Sequence, residues 1–212
     1  MTEAPTTRRR ERTRDRLLDA AFEVFAENGV HATSVEEICE RAGFTRGAFY
    51  SNFRAKEELF VALMQQKSTH FLDVLAGRID ELRPLVARAA DLDEDSLIDL
   101  VLRLSASPFD DRTWALISAE FRLLALRDPA FAAAYLAQQA EFEASIVDVV
   151  EHALALAHRR FRAEPAAAVH LLAGAYGDAV CTAILAGGDA VNAEHARPTL
   201  ARLVLLLTEP TD

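Results

Sequence analysis

Residues 20–60 read AAFEVFAENGVHATSVEEICERAGFTRGAFYSNFRAKEELF, and their spacing decides the fold. From Leu17, the apolar set Leu17, Ala21, Val24 and Phe25 recurs at helical spacing, and Asn28-Gly29 ends it, which predicts a first helix. Thr33-Ser34-Val35-Glu36 reads as a capping box, with Thr33 at the N-cap and Glu36 at the third helical position. It opens a short helix through Ile38, Cys39 and Ala42 that Gly43 stops. Only Phe44 separates that glycine from Thr45, a second cap, after which Arg46 to Ser51 has room for about two turns. Two capped helices meeting at a glycine turn, with a basic residue opening the second, form the pattern of a helix-turn-helix, whose second helix enters the DNA major groove.

Outward from this stretch the signals stay helical. A long helix is predicted from Lys56 towards Leu82, where Pro84 interrupts, and Asp93 to Ser96 opens another that ends near Ser107-Pro108. Asp110-Asp111 opens a helix carrying Trp114, Ile117, Phe121 and Leu124, and Asp128-Pro129 closes it. Phe131, Tyr135, Gln139, Phe142, Ile146, Val149 and Ala153 step by fours and threes, the seam of a long bundle helix with Gln139 as its polar member. Pro165 starts a helix that runs to Gly187-Gly188, and Pro198 lies near the start of a last one. Alternating strand patterns are absent, so the fold class is all-α. An N-terminal arm and three-helix head occupy residues 1–56, and a larger helical module occupies 57–212.

Composition and charge support this division. The chain is 51% apolar and 26% charged, which excludes a disordered or fibrous class. The longest uncharged run, residues 165–177, falls short of the roughly 20 apolar residues that span a bilayer, and no apolar stretch follows the basic N-terminus before Leu17. A cytoplasmic protein without a membrane span or signal peptide is expected. The formal charge of −10 is uneven: residues 1–56 hold 10 Lys/Arg against 9 Asp/Glu, whereas residues 57–212 hold 13 against 24. Arg8 to Arg16 crowd the terminus, either as an arm that meets DNA or as a frayed tail. Cys39 and Cys181 form no CxxC, no metal-ligand spacing appears, and no nucleophile motif such as GxSxG or HExxH is present. The expectation is therefore no catalytic residue, no metal and no cofactor.

Several residues of the head have chemistry suited to DNA. Thr33 and Ser34 would offer hydroxyls and N–H groups to a phosphate at a helix N-terminus. Thr45 could meet a phosphate and Arg46 could reach guanine O6 and N7, while Gly47 lets the backbone approach the groove. Tyr50 and Asn52 could donate to phosphate, and Lys56 supplies a phosphate-facing charge. Phe44 and Phe53 are expected in the core, while Phe49 is left open between the core and a thymine methyl. Residues 20–60 closely resemble the DNA-binding domain of the tetracycline-repressor (TetR) family, through Phe25, Gly29, Thr33-Ser34, Ile38, Ala42-Gly43, Gly47, Phe49-Tyr50, Phe53 and Lys56 to Leu59. Two departures stand out: Ala55 replaces the usual capping residue of the long helix, and Ser51-Asn52 replaces an aromatic followed by His.

The resemblance implies a ligand-responsive transcriptional regulator, expected to be a repressor, that binds a palindromic operator in double-stranded DNA as a homodimer. It also implies a small-molecule effector in the second module. The residues give a partial check, since Ala173, Gly174, Ala175, Gly177, Ala179 and Ala183 permit close helix approach and Leu203 to Leu207 give the last helix excess apolar perimeter. Polar groups within apolar faces mark a candidate effector site: His70, Phe71, Trp114, Ser118, Phe121, Gln139, Phe142, His170 and Tyr176, suited to a largely apolar ligand. The competing reading is a helical protein-binding adaptor, which would leave Arg46, Tyr50 and Lys56 without a role.

Overall fold

The computed structural model describes residues 5–89, 92–105, 108–109, 111–187 and 197–211. In chain order the elements are α1 (Pro5–Asn28), α2 (Val35–Ala42), α3 (Arg46–Tyr50), α4 (Lys56–Glu81), α5 (Arg83–Val86), α6 (Glu94–Ser105), α7 (Asp111–Arg127), α8 (Pro129–Leu156), β1 (Arg159–Phe161), α9 (Pro165–Leu185), α10 (Arg197–Leu207) and β2 (Thr208–Pro210). Contacts divide the chain into a first unit, residues up to Lys67 plus Leu116–Gln138, and a second, Ser68–Ala115 plus Gln139–Asp212. Helices α4, α7 and α8 each continue from one unit into the other.

Periodicity placed the buried face of α1 well: Leu17, Ala21, Val24 and Phe25 are all buried. It did not place the start, because α1 begins at Pro5 and includes the arginine run. Proline suits a first helical turn and Arg and Glu propagate a helix without an apolar face, so amphipathicity marks only the packed part. The first unit is held by an aromatic cluster. Phe25 meets Phe60 edge-on at 4.7 Å between centroids, Phe60 meets Phe121 at 5.4 Å, and Phe121 and Phe131 lie 6.5 Å apart. Each buried ring contributes roughly 1.5–3 kcal/mol of transfer free energy, and edge-to-face pairing adds to it. Together they fasten the later parts of the unit, on α7 and α8, to α1 and α4.

In the second unit Val86, Ala89, Leu97, Leu100 and Ala157 form a core against which Leu82, Leu92, Leu104, Leu156 and Leu205 pack. Acidic caps set its helix starts: Asp93 accepts from the Ser96 N–H at 2.8 Å, and Glu164 accepts from Ala166 and Ala167 ahead of Pro165. Asp128 caps α8 of the first unit in the same way, accepting from Ala130 at 2.9 Å. The helix boundaries expected at Ser107, Asp110 and Gly188 lie outside the described residues.

One expectation needs correction, and two findings add to the reading. The all-α reading holds, with the addition of one small two-stranded antiparallel sheet pairing Arg159 with Pro210, Arg160 with Glu209 and Phe161 with Thr208. Segments of three residues are too short to show alternation, and side chains seal this pair: Arg159 Nε donates to Thr208 Oγ1 at 3.0 Å and Arg160 pairs with Glu209 at 2.8 Å. On α8 the buried glutamine is Gln138, whereas Gln139 is half-buried. Finally, α9 is long and apolar enough to cross a bilayer by length and composition, despite Asp178, although the uncharged run alone is too short. In this fold α10 packs against it.

Candidate nucleic-acid interface

The head is built from local hydrogen bonds that the sequence dictates. Gly43 adopts φ +71°, which an L side chain rarely tolerates. There the Phe44 N–H reaches the Cys39 carbonyl at 2.9 Å and the Gly43 N–H reaches Glu40 at 3.1 Å, the paired bonds of a Schellman turn. Thr45 then caps α3 by accepting from the Ala48 N–H at 3.3 Å. Arg41 fastens α2 to α1, with Nη1 and Nη2 on the Glu27 carboxylate at 2.9 and 2.6 Å and Nη1 also on Glu23 at 3.2 Å. The guanidinium holds the Glu27 carboxyl below its usual range, and the two carboxylates push Arg41 up.

The cap of α2 lies one residue later than the sequence reading put it. Ser34 is the N-cap and Glu37 its partner: the Ser34 N–H and hydroxyl both donate to Glu37 Oε2 at 2.7 Å, and the Glu37 N–H returns to Ser34 Oγ at 3.2 Å. Those bonds hold the Glu37 carboxyl below the usual carboxylate range. Thr33 is buried and donates its hydroxyl to the Gly29 carbonyl at 2.8 Å. Neither hydroxyl is therefore offered to a phosphate; a carboxylate of the protein already sits at that helix end. Phe49 is fully buried, tilted against Phe53 at 5.7 Å, which removes it from any thymine methyl. Asn52 is buried too. Its amide donates to Ala48 O at 2.8 Å, and its Oδ1 has no hydrogen-bond partner.

Lys56 has a different partner from the one expected. Its ammonium donates to the Val30 carbonyl at 3.0 Å and to the Thr33 carbonyl at 2.8 Å, closing the α1–α2 loop onto the start of α4. One of its three N–H donors is left for any further partner. Across the same turn, the Arg54 N–H donates to the Glu58 carboxylate at 2.7 Å, tying the residue ahead of Ala55 to the first turn of α4.

What remains outward is compact. Thr45, Arg46, Gly47, Tyr50, Ser51 and Arg54 are exposed on and beside α3. Arg46 Nη1 lies 2.5 Å from Glu36 Oε1, and its guanidinium sits 5.9 Å from the Tyr50 ring centroid. The Tyr50 hydroxyl and the Glu36 carboxylate raise its already high pKa, so it is a permanent cation. Arginines of α1 brace the same surface, roles that sequence alone did not assign. Arg10 donates to the Ser51 carbonyl at 3.0 Å, Arg14 lies over Phe53 at 4.6 Å, and Arg16 covers Phe44 while donating to Ala42 O at 2.8 Å. The arginine run is thus folded into α1, not a frayed tail.

Residues 17–63 match the family model described as bacterial regulatory proteins, tetR family. The head belongs to the tetR family. Over 65 residues it is 37% identical to the fatty acid metabolism regulator protein of Bacillus subtilis, covering 31% of this chain and 34% of that one. Over 74 residues it is 38% identical to the HTH-type transcriptional activator FasR of Mycolicibacterium smegmatis, covering 35% and 32%. The match thus spans about a third of the length of each curated relative, and these relatives are named as regulators, not enzymes. The fold extends further: the fatty acid degradation regulator FadR of Bacillus halodurans superposes with a TM-score of 0.65 over 95% of this chain and 97% of that one, at 20% identity. That likeness confirms a tetR-type arrangement of a helix-turn-helix followed by a helical C-terminal part.

The candidate effector residues are divided between the two units. Phe121 is buried in the aromatic cluster of the first unit, which also contains Ser118. In the second unit His70 lies tilted against Phe109 at 5.6 Å, Phe109 meets Trp114 at 5.2 Å, and Phe71 meets Phe142 edge-on at 5.8 Å. His170 is exposed and bonds Glu143 at 3.1 Å, and Tyr176 and Gln139 are half-buried. A shallow cleft of about 420 Å³ is lined by His170, Leu171, Gly174, Ala175, Asp178 and Leu203. Another of about 340 Å³ is lined by Ala76, Ile79, Asp80, Asp148, Val149 and His152.

Proposed function

We propose that the chain is a cytoplasmic transcriptional regulator that binds a palindromic operator as a homodimer. The observation that carries this reading is the outward set Thr45, Arg46, Gly47 and Tyr50 on a braced α3 within a tetR-type head. Arg46 reads guanine in the major groove, Gly47 allows close backbone approach, and Thr45 and Tyr50 meet flanking phosphates. Lys56 acts chiefly by holding the loop that carries α2, and its remaining donor adds a phosphate contact. A two-fold dimer presents two such heads to two half-sites. Support for dimerisation comes from α9 and α10, where Leu171, Leu185 and Leu206 stand 55%, 88% and 69% exposed in the single chain.

In the same proposal a small, largely apolar effector binds the second module near the His70–Phe109–Trp114 and Phe71–Phe142 groups and releases DNA. It does so by favouring a conformation with the two heads wrongly spaced, with coupling of roughly 1–3 kcal/mol. The helices α4, α7 and α8, common to both units, are the mechanical route. Repression is the expected outcome, although relatives sharing this head include a named activator, so the head itself does not set the sign. Selection of duplexes from a random library by the purified chain, with light scattering of the free and bound forms, tests the reading. A palindrome bound by two chains supports it; a monomer that selects no sequence overturns it.

A further inference from the structure

We infer that Glu36 is a specificity-determining residue that works through Arg46, a conclusion that rests on the reading of α3 as the DNA-contacting helix. Glu36 lies in the first turn of α2 and reaches the guanidinium of Arg46, at the start of α3, at 2.5 Å. Both side chains are more than half exposed, 55% and 61%, and an ion pair of this kind contributes little to stability. The fold does not require it. α2 is already fixed by the Ser34–Glu37 cap, by Arg41 on Glu23 and Glu27, and by the Gly43 turn.

A carboxylate on the face that meets a polyanion opposes every phosphate nearby, so general affinity does not explain it either. Positioning does. One Glu36 oxygen engages Nη1, while the fork of a guanidinium offers five N–H donors. With Nη1 held on one side and Tyr50 on the other, Arg46 is confined to few rotamers before DNA arrives, so its remaining donors are aimed at one guanine and not at the backbone. Glu36 thereby weakens binding to random DNA and sharpens the reading of a guanine by Arg46.

The test uses the full chain as wild type, Glu36→Ala, Glu36→Gln, Arg46→Ala and the Glu36→Ala/Arg46→Ala double variant. Each is taken through selection from a random duplex library and anisotropy titration on the best and scrambled duplexes, with thermal melts alongside. Glu36→Ala is expected to bind scrambled DNA more tightly and to lose about fivefold or more in the ratio of best to scrambled affinity, the lower range of one arginine–guanine contact. The relaxed base pairs should include those relaxed by Arg46→Ala, and the double variant should lose no more discrimination than Arg46→Ala alone. Glu36→Gln, which keeps an acceptor for Arg46, should retain most of the preference. An unchanged selected sequence and ratio in Glu36→Ala overturns the inference, as does relaxation confined to other base pairs. A wild-type chain that selects no sequence overturns the reading of α3 itself.

Discussion

Replacing Lys56 by Met removes the two bonds that close the α1–α2 loop while keeping the aliphatic stem beside Phe60, whose ring centroid lies 5.8 Å from the ammonium. Each bond joins a cation to a backbone carbonyl, and the Thr33 residue that supplies one of them is buried. Hydrogen bonds to charged groups contribute about 1.5–3 kcal/mol each, and part of that is offset because Lys56 itself is only half-buried. A loss of about 2–4 kcal/mol follows. For a chain of this size that corresponds to a fall in melting temperature of roughly 4–16 °C. Circular dichroism melts of wild type, Lys56→Met and Lys56→Arg measure it, with the arginine variant expected in between because it keeps the charge but not the compact donor geometry. In operator titrations Lys56→Met should also lose affinity for all duplexes alike. A melting temperature unchanged to within a degree, with affinity alone reduced, would refute the structural role and return Lys56 to a simple phosphate contact.

Three further outcomes follow from the head. Phe49→Ala should destabilise by about 3–5 kcal/mol in urea unfolding, through a cavity in the core, without shifting the base preference of whatever still folds; a changed preference at full stability would place Phe49 at the DNA after all. Gly43→Ala should cost about 1–2 kcal/mol by the same assay, since alanine must occupy φ +71°, and an equal midpoint would show that the turn can relax. Glu37, whose folded pKa is lowered by Ser34, contributes stability that is present above its ordinary value of 4.5 and lost as pH falls through the folded value. Urea midpoints taken from pH 6 down to 3 should therefore fall less steeply in Glu37→Gln than in wild type, and parallel curves would argue against the cap.

Local rules made much of this architecture legible. The buried face of α1, the glycine turn at Gly43, the Thr45 cap and the acidic or proline starts of α6, α8 and α9 each depend on neighbours a few positions away. What the sequence left ambiguous was decided by distant partners or by near-equivalent choices. Thr33 and Ser34 are adjacent hydroxyls and either could cap; the Gly29 carbonyl takes one and leaves the other. Phe44, Phe49 and Phe53 are alike in composition, and only tertiary packing tells which ring is covered. Lys56 finds carbonyls 26 and 23 residues back, and β1 and β2 pair across 47 to 51 positions, beyond any local pattern. Polar groups set among apolar ones describe a core as well as a pocket, and Phe121 is buried core.

The central claim is that the exposed surface of α3 reads DNA, and its most direct measurement is the salt dependence of binding to a selected palindromic duplex. Fluorescence anisotropy across about 50–200 mM salt should show affinity falling at least tenfold, as phosphate neutralisation requires, with Arg46→Ala removing the preference for that duplex over a scrambled one. Affinity that stays flat with salt, or a preference that survives in Arg46→Ala, would contradict the account and favour a helical module that binds other proteins.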